Sequence, residues 1–218
     1  MGLTGWFWIS ILVHQAPEER LHELEMKAYE EPASTQVSFD LAEMLWRTGE
    51  IERCKSILVE LKDEQPPGWH WLNGVIQERE SHFSIAERFF REELLTPYPR
   101  KASYSALGRV LLAQDRVAEA GEAFLQSGLL FANPDDFLMA ARMAHKNGHP
   151  ELADQRLREG ITLIGPAVVL RFARVEALIA MGDMESALEE INALLLLAPK
   201  HQKWLLVRDQ IVLNFRMD

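Results

Sequence analysis

Few residues in this chain have the types and spacing that catalysis or metal binding requires. His145 and His149 stand one helical turn apart, a separation that suits two ligands of one metal ion. Gly148 lies between them, where a helix should break, and no carboxylate completes the set. The pair reads as two solvated histidines beside a turn. Adjacent carboxylates recur at Glu18-Glu19, Glu30-Glu31, Glu92-Glu93, Asp135-Asp136 and Glu189-Glu190. Neighbours on a helix do not share a face, so these pairs cannot work as an acid–base couple. They read as solvated faces or helix starts, with Asp135-Asp136 after Asn133-Pro134 as an N-terminal cap. Cys54, the single cysteine, leaves no intrachain disulfide and no cysteine zinc site. No phosphate-cradling glycine loop, dinucleotide fingerprint, zincin helix or nucleophile elbow occurs. The expectation is a protein that is not an enzyme, with no cofactor and no metal.

Composition narrows the partners. The 218 residues carry a net charge of −10 and a pI near 5.2. Nucleic-acid binding needs a basic face to neutralise phosphates, so nucleic acid is an unlikely partner on charge grounds. With 48% apolar residues the chain can bury a core. No run reaches the roughly 18 to 20 apolar residues that span a bilayer. The opening stretch from Trp6 to Ala16 is nevertheless rich in apolar residues and free of formal charge. It has no Lys or Arg before it, so it makes a poor export signal. The sixth position, where myristoylation expects a hydroxyl, is Trp6. The expected location is cytoplasmic, with a membrane-associated or periplasmic alternative if residues 1–16 are an anchor remnant.

A period organises the rest. Small residues fall at Cys54, Ala86, Ala120, Ala153 and Ala187, spaced by 32, 34, 33 and 34. Four residues after each comes a large apolar one: Leu58, Phe90, Phe124, Leu157, Ile191. Five before each stands a turn-compatible residue: Gly49, Ser81, Asp115, Gly148, Gly182. Twelve before come Ala42, Gly74, Gly108, Ala141 and Val175, and a proline follows each small residue after 11 to 14 positions. Two antiparallel helices cross closely only where a side chain is small, and the large residue one turn later fills the space beside the crossing. A helix pair cannot bury its apolar face alone, so successive pairs stack.

This pattern resembles the tetratricopeptide repeat. Its Leu-Gly pair stands at Leu107-Gly108 with Tyr104 before it, and its A-x3-F pair at Ala86/Phe90 and Ala120/Phe124. The resemblance covers Thr35 to Pro199. It implies an all-α right-handed superhelical solenoid: a degenerate leading repeat over 1–34, five repeats over 35–199, and a capping helix over 200–218. In the capping helix, Trp204, Leu205, Val207, Ile211, Val212 and Phe215 should cover the last pair.

The resemblance also implies a function. In that family the first helices line a groove that takes a peptide or a partner's helix. Carried over position by position, the groove comprises Phe39, Glu43, Trp46 and Arg47. It continues with Trp71, Val75, Glu78 and Arg79, then Ser105, Arg109 and Leu112. Leu138, Arg142 and His145, then Phe172, Glu176 and Ile179, complete it. Arg109 and Arg142 hold equivalent places, which gives a cationic strip with aromatic anchors, unless these arginines pair with Glu43, Glu78 and Glu176. The expected function is a noncatalytic scaffold or adaptor that binds a protein segment with apolar and acidic groups and assembles a complex. The alternative is a membrane-associated assembly factor docked through Trp6, Phe7, Trp8, Ile9 and Leu12. That apolar leading run also points to end-to-end self-association.

Overall fold

A computed structural model describes residues 17–215. The described residues form twelve α-helices and no strand. They are α1 (Pro17–Glu30), α2 (Thr35–Thr48), α3 (Ile51–Glu60), α4 (Trp69–Arg79), α5 (Phe83–Leu94) and α6 (Ala102–Ala113), followed by α7 (Val117–Phe131), α8 (Pro134–Lys146), α9 (Pro150–Ile164), α10 (Val168–Met181), α11 (Met184–Leu197) and α12 (Gln202–Phe215). The chain divides into two compact units, residues 1–73 and 74–218, with the boundary inside α4.

The turn register seen in the sequence is a backbone register. Gly49, Ser81, Asp115, Gly148 and Gly182 all take positive φ, at 87°, 63°, 60°, 81° and 79°. Each reverses the chain between the two helices of a pair. The crossings are equally regular. A Cβ on Gly74 would lie 2.7 Å from the Phe90 ring, and one on Gly108 would lie 2.9 Å from the Phe124 ring. Glycine is needed there because the aromatic ring occupies the space a side chain would take.

In the first unit, Val37, Leu41 and Leu45 of α2 are buried with Leu24 of α1 and Cys54 and Leu58 of α3. Trp69 closes this core and donates its indole N–H to the Leu58 carbonyl at 2.9 Å. Burial pushes the Cys54 thiol up to about 11, which keeps it protonated and unreactive. In the second unit Phe137, Ala141, Ala153, Leu157 and Leu170 form one cluster. Val175, Ile191, Leu194, Trp204 and Ile211 form the next. The C-terminal helix packs on α10 and α11 through Trp204 and Ile211.

Some polar expectations change on folding. The cap of α8 is Asn133, whose side chain accepts the Asp135 N–H at 3.1 Å. Pro134 opens α8 rather than only ending α7, because its locked φ suits a first helical position. Asp136 is buried and accepts hydrogen bonds from Ser105, Ser127 and Asn133 at 2.7 to 2.9 Å. Glu93, expected on a solvated face, is buried and accepts the Arg100 N–H at 3.0 Å. A carboxylate can be buried when several donors replace its water.

Candidate functional site

The site begins with four alanines. Ala141 on α8, Ala153 on α9, and Ala173 and Ala177 on α10 leave the meeting of three helices unfilled. The result is a cleft of about 330 Å³, with Leu138 and Leu157 completing its apolar floor. Arg142, His145 and Lys146 line it from α8, and Glu176 lines it from α10. All four are exposed. Lys146 stands 4.0 Å from Asp115, and Glu176 stands 4.0 Å from Lys203. Such exposed contacts neutralise little charge. Arg142 has no ion pair or hydrogen bond among the described residues. Its five donors therefore remain available beside an apolar floor.

Leu138, Arg142, His145 and Glu176 line one cleft, and other residues carried over to the groove lie elsewhere. Phe39 is 1% exposed and belongs to the core of the first unit, so a partner cannot reach it. Its face of α2 packs inward, where position counting alone places it in the groove. Arg109 does not extend a cationic strip. Its Nε and Nη2 donate to Glu78 at 2.8 and 3.0 Å, a two-point pair that satisfies both groups. Phe172 is half-buried because α12 lies over it: its ring is 6.3 Å from that of Trp204, and Lys203 Nζ stands 4.4 Å above it. Trp46, Trp71, Val75 and Leu112 are half-buried, and Arg47 and Arg79 are exposed. Glu43 and Arg47 line a smaller cleft of about 180 Å³ with Arg20, Leu24, Asp40 and Met44. Trp6, Phe7, Trp8, Ile9 and Leu12 lie outside the described residues.

His145 and His149 are both exposed, and α8 ends at Lys146 before Gly148. Among the described residues no group of three His, Cys, Asp or Glu could hold a metal ion. No helix among them is long and apolar enough to cross a membrane.

Sequence reasoning missed the polar ladder behind the cleft. Arg156, 3% exposed, donates to the Ala140 carbonyl at 2.7 Å and pairs with Glu122. Arg174 bridges Asp154 at 2.8 Å and Glu190 at 3.2 Å, and Arg171 reaches Glu190 at 2.6 Å. One signal was legible: Glu122 and Arg156 are opposite charges 34 residues apart, close to one repeat length. The ladder ties α7, α9, α10 and α11 together and so holds the helices that shape the cleft.

Antiparallel helix pairs, each with a small-residue crossing and a left-handed turn in register, define a helical-repeat solenoid. The tetratricopeptide repeat family model matches residues 102–126, the pair formed by α6 and most of α7, so that pair is a tetratricopeptide repeat. Proteins of this class are protein-binding scaffolds and typically noncatalytic. Solved structures share the fold. YrrB, described as a tetratricopeptide protein with an unusual peptide-binding site, is 14% identical, with 87% of this chain and 99% of that chain covered and a TM-score of 0.65. PilF of Pseudomonas aeruginosa is 19% identical, with 89% and 90% covered and a TM-score of 0.63. PilW, described as a widely conserved type IV pilus biogenesis factor, is 14% identical, with 88% and 90% covered and a TM-score of 0.60. A search of curated proteins finds no match.

Proposed function

We propose that this chain is a noncatalytic scaffold whose α8–α10 cleft binds a segment of a partner protein during assembly of a complex. The observation that carries this reading is Arg142, exposed and without a partner among the described residues beside an apolar floor. A large apolar side chain of the partner fills the space left by the four alanines. A carboxylate one or two residues away on the same segment meets Arg142, with Lys146 adding charge. The peptide site named for YrrB and the biogenesis role named for PilW agree with such a reading.

An array of immobilised twelve-residue peptides, each with one Leu or Phe and a neighbouring Glu, Gln or Lys, tests it. The full chain should prefer the Glu peptides, and Arg142→Glu should weaken their binding at least tenfold with helicity unchanged. Equal binding by the variant, or preference for the Lys peptides, would reject the site.

The second reading is a membrane-associated assembly factor docked through Trp6 to Leu12. The uncharged apolar opening of the chain favours it. Replacing Trp6 and Trp8 by Ser should then release the protein from a membrane fraction.

A further inference from the structure

The second helices of the unit formed by residues 74–218 end on leucines that face water. Counted from Ala86, Ala120, Ala153 and Ala187, the ninth and tenth residues are Leu95-Thr96, Leu129-Leu130, Thr162-Leu163 and Leu196-Leu197. All six leucines are exposed, Leu95 at 86% and Leu196 at 83%. They stand at the ends of α5, α7, α9 and α11. Consecutive helices of a repeat stack run antiparallel, so these four ends share one edge. Tyr98, 91% exposed, stands in the α5–α6 connector on that edge, and the exposed Val168 and Val169 open α10 beside it. Isolated surface leucines need no explanation, but a row of them at the period of the fold marks a contact surface.

The charge of this edge differs from that of the chain. Segments 95–101, 132–136, 165–169 and 198–203 hold the exposed Lys101, Lys200 and Lys203 and the half-buried Arg100, with Lys203 4.0 Å from Glu176. Their acids are Asp135 and the buried Asp136, whereas the whole chain has 23 basic and 33 acidic residues. The basic residues cluster beside the most exposed apolar ones, two after Leu95 and Tyr98 and two after Leu196 and Leu197. The first connector is also held from below. The Glu93 carboxylate accepts the Arg100 N–H, and the Thr96 hydroxyl donates to the Glu93 carbonyl at 2.7 Å. Leu95 and Tyr98 are thus presented by an ordered segment, which lowers the entropy lost on docking.

Apolar tips with cations beside them match one occupant, the surface of an anionic bilayer. The tips enter the boundary of headgroups and acyl chains while the exposed Lys101 and Lys200 meet lipid phosphates. The remaining acidic surface is repelled by the same lipids, which orients the chain. A second copy joined edge to edge would instead set these cations against each other. We propose that this edge docks on an anionic lipid membrane. The docking does not depend on the α8–α10 cleft.

Co-sedimentation of the full chain with phosphatidylcholine vesicles, with and without phosphatidylglycerol, tests this. Binding should be at least tenfold stronger to the anionic vesicles and should fall in high salt. Leu95→Gln with Leu196→Gln and Leu197→Gln should lose at least tenfold in binding with unchanged circular dichroism. Lys101→Glu with Lys200→Glu, a variant that leaves the apolar side chains in place, should lose binding to the anionic vesicles. Arg142→Glu should bind vesicles as the parent does. No binding to anionic vesicles would overturn the proposal. So would parent-like binding by the leucine variant, loss of binding only on replacing Trp6 and Trp8, or a leucine variant whose sole effect is to turn a dimer into a monomer.

Discussion

Two of the five residues that reverse the chain within helix pairs are not glycine. Ser81 and Asp115 hold φ near 60°, where an L side chain costs about 1–2 kcal/mol because Cβ approaches the following carbonyl. Ser81 is exposed, and its repeat equivalents Gly49, Gly148 and Gly182 meet no atom within 4 Å of a built Cβ, so the position needs conformation and not contact. Ser81→Gly should therefore stabilise the protein. Greater freedom of glycine in the unfolded chain offsets part of the gain, leaving up to about 1 kcal/mol. A higher urea midpoint with an unchanged slope is the expected result. A lowered midpoint would mean that the serine conformation carries no cost here.

At the scale of elements, Glu87 joins α5 to the turn between α6 and α7. It accepts from Arg116 at 2.6 Å, from Gln114 at 3.0 Å and from Arg91 on its own helix at 2.9 Å. Burial opposes ionisation, but the hydrogen bonds from Arg116, Gln114 and Arg91 prevail and hold its carboxyl below the usual carboxylate range. A depressed carboxylate stabilises the fold above its unfolded value of about 4.3 and loses that contribution as pH falls through its folded value. Glu87→Gln should thus lower the melting temperature at pH 7 by a few degrees, corresponding to about 1 kcal/mol. Thermal melts at successively lower pH should show the gap closing as Glu87 protonates, since protonated Glu87 and Gln offer the same charge. A gap that persists in acid would assign the effect to packing.

For the whole molecule, stability in a stack of repeats is a sum of unit and nearest-neighbour terms. Damage should therefore stay local. Gly108→Ala would force the Phe124 ring or its helix aside at a cost of about 1–3 kcal/mol, since the built Cβ lies within 3.0 Å of the ring. Hydrogen exchange should speed up most in α5 to α8 and least in α11 and α12. Equal acceleration throughout residues 74–218 would instead show that this unit opens as one cooperative body.

The features legible in the amino-acid order are those that each depend on one turn or one crossing. The left-handed reversals at Gly49, Ser81, Asp115, Gly148 and Gly182 are local, and the Gly108–Phe124 contact joins two helices of one pair. Both kinds of constraint recur at fixed offsets, so the period exposes them. Tertiary structure decided whatever depends on several helices at once. Phe39 goes inward because its face of α2 is covered. Glu93 and Asp136 are buried because donors from other segments replace their water. Arg109 and Arg142 hold equivalent places, yet Glu78 occupies the first and nothing among the described residues occupies the second. The cleft exists only because four alanines, spread over 37 positions from Ala141 to Ala177, converge where α8, α9 and α10 meet. No single helix carries that convergence, since the empty volume belongs to the packing of all three.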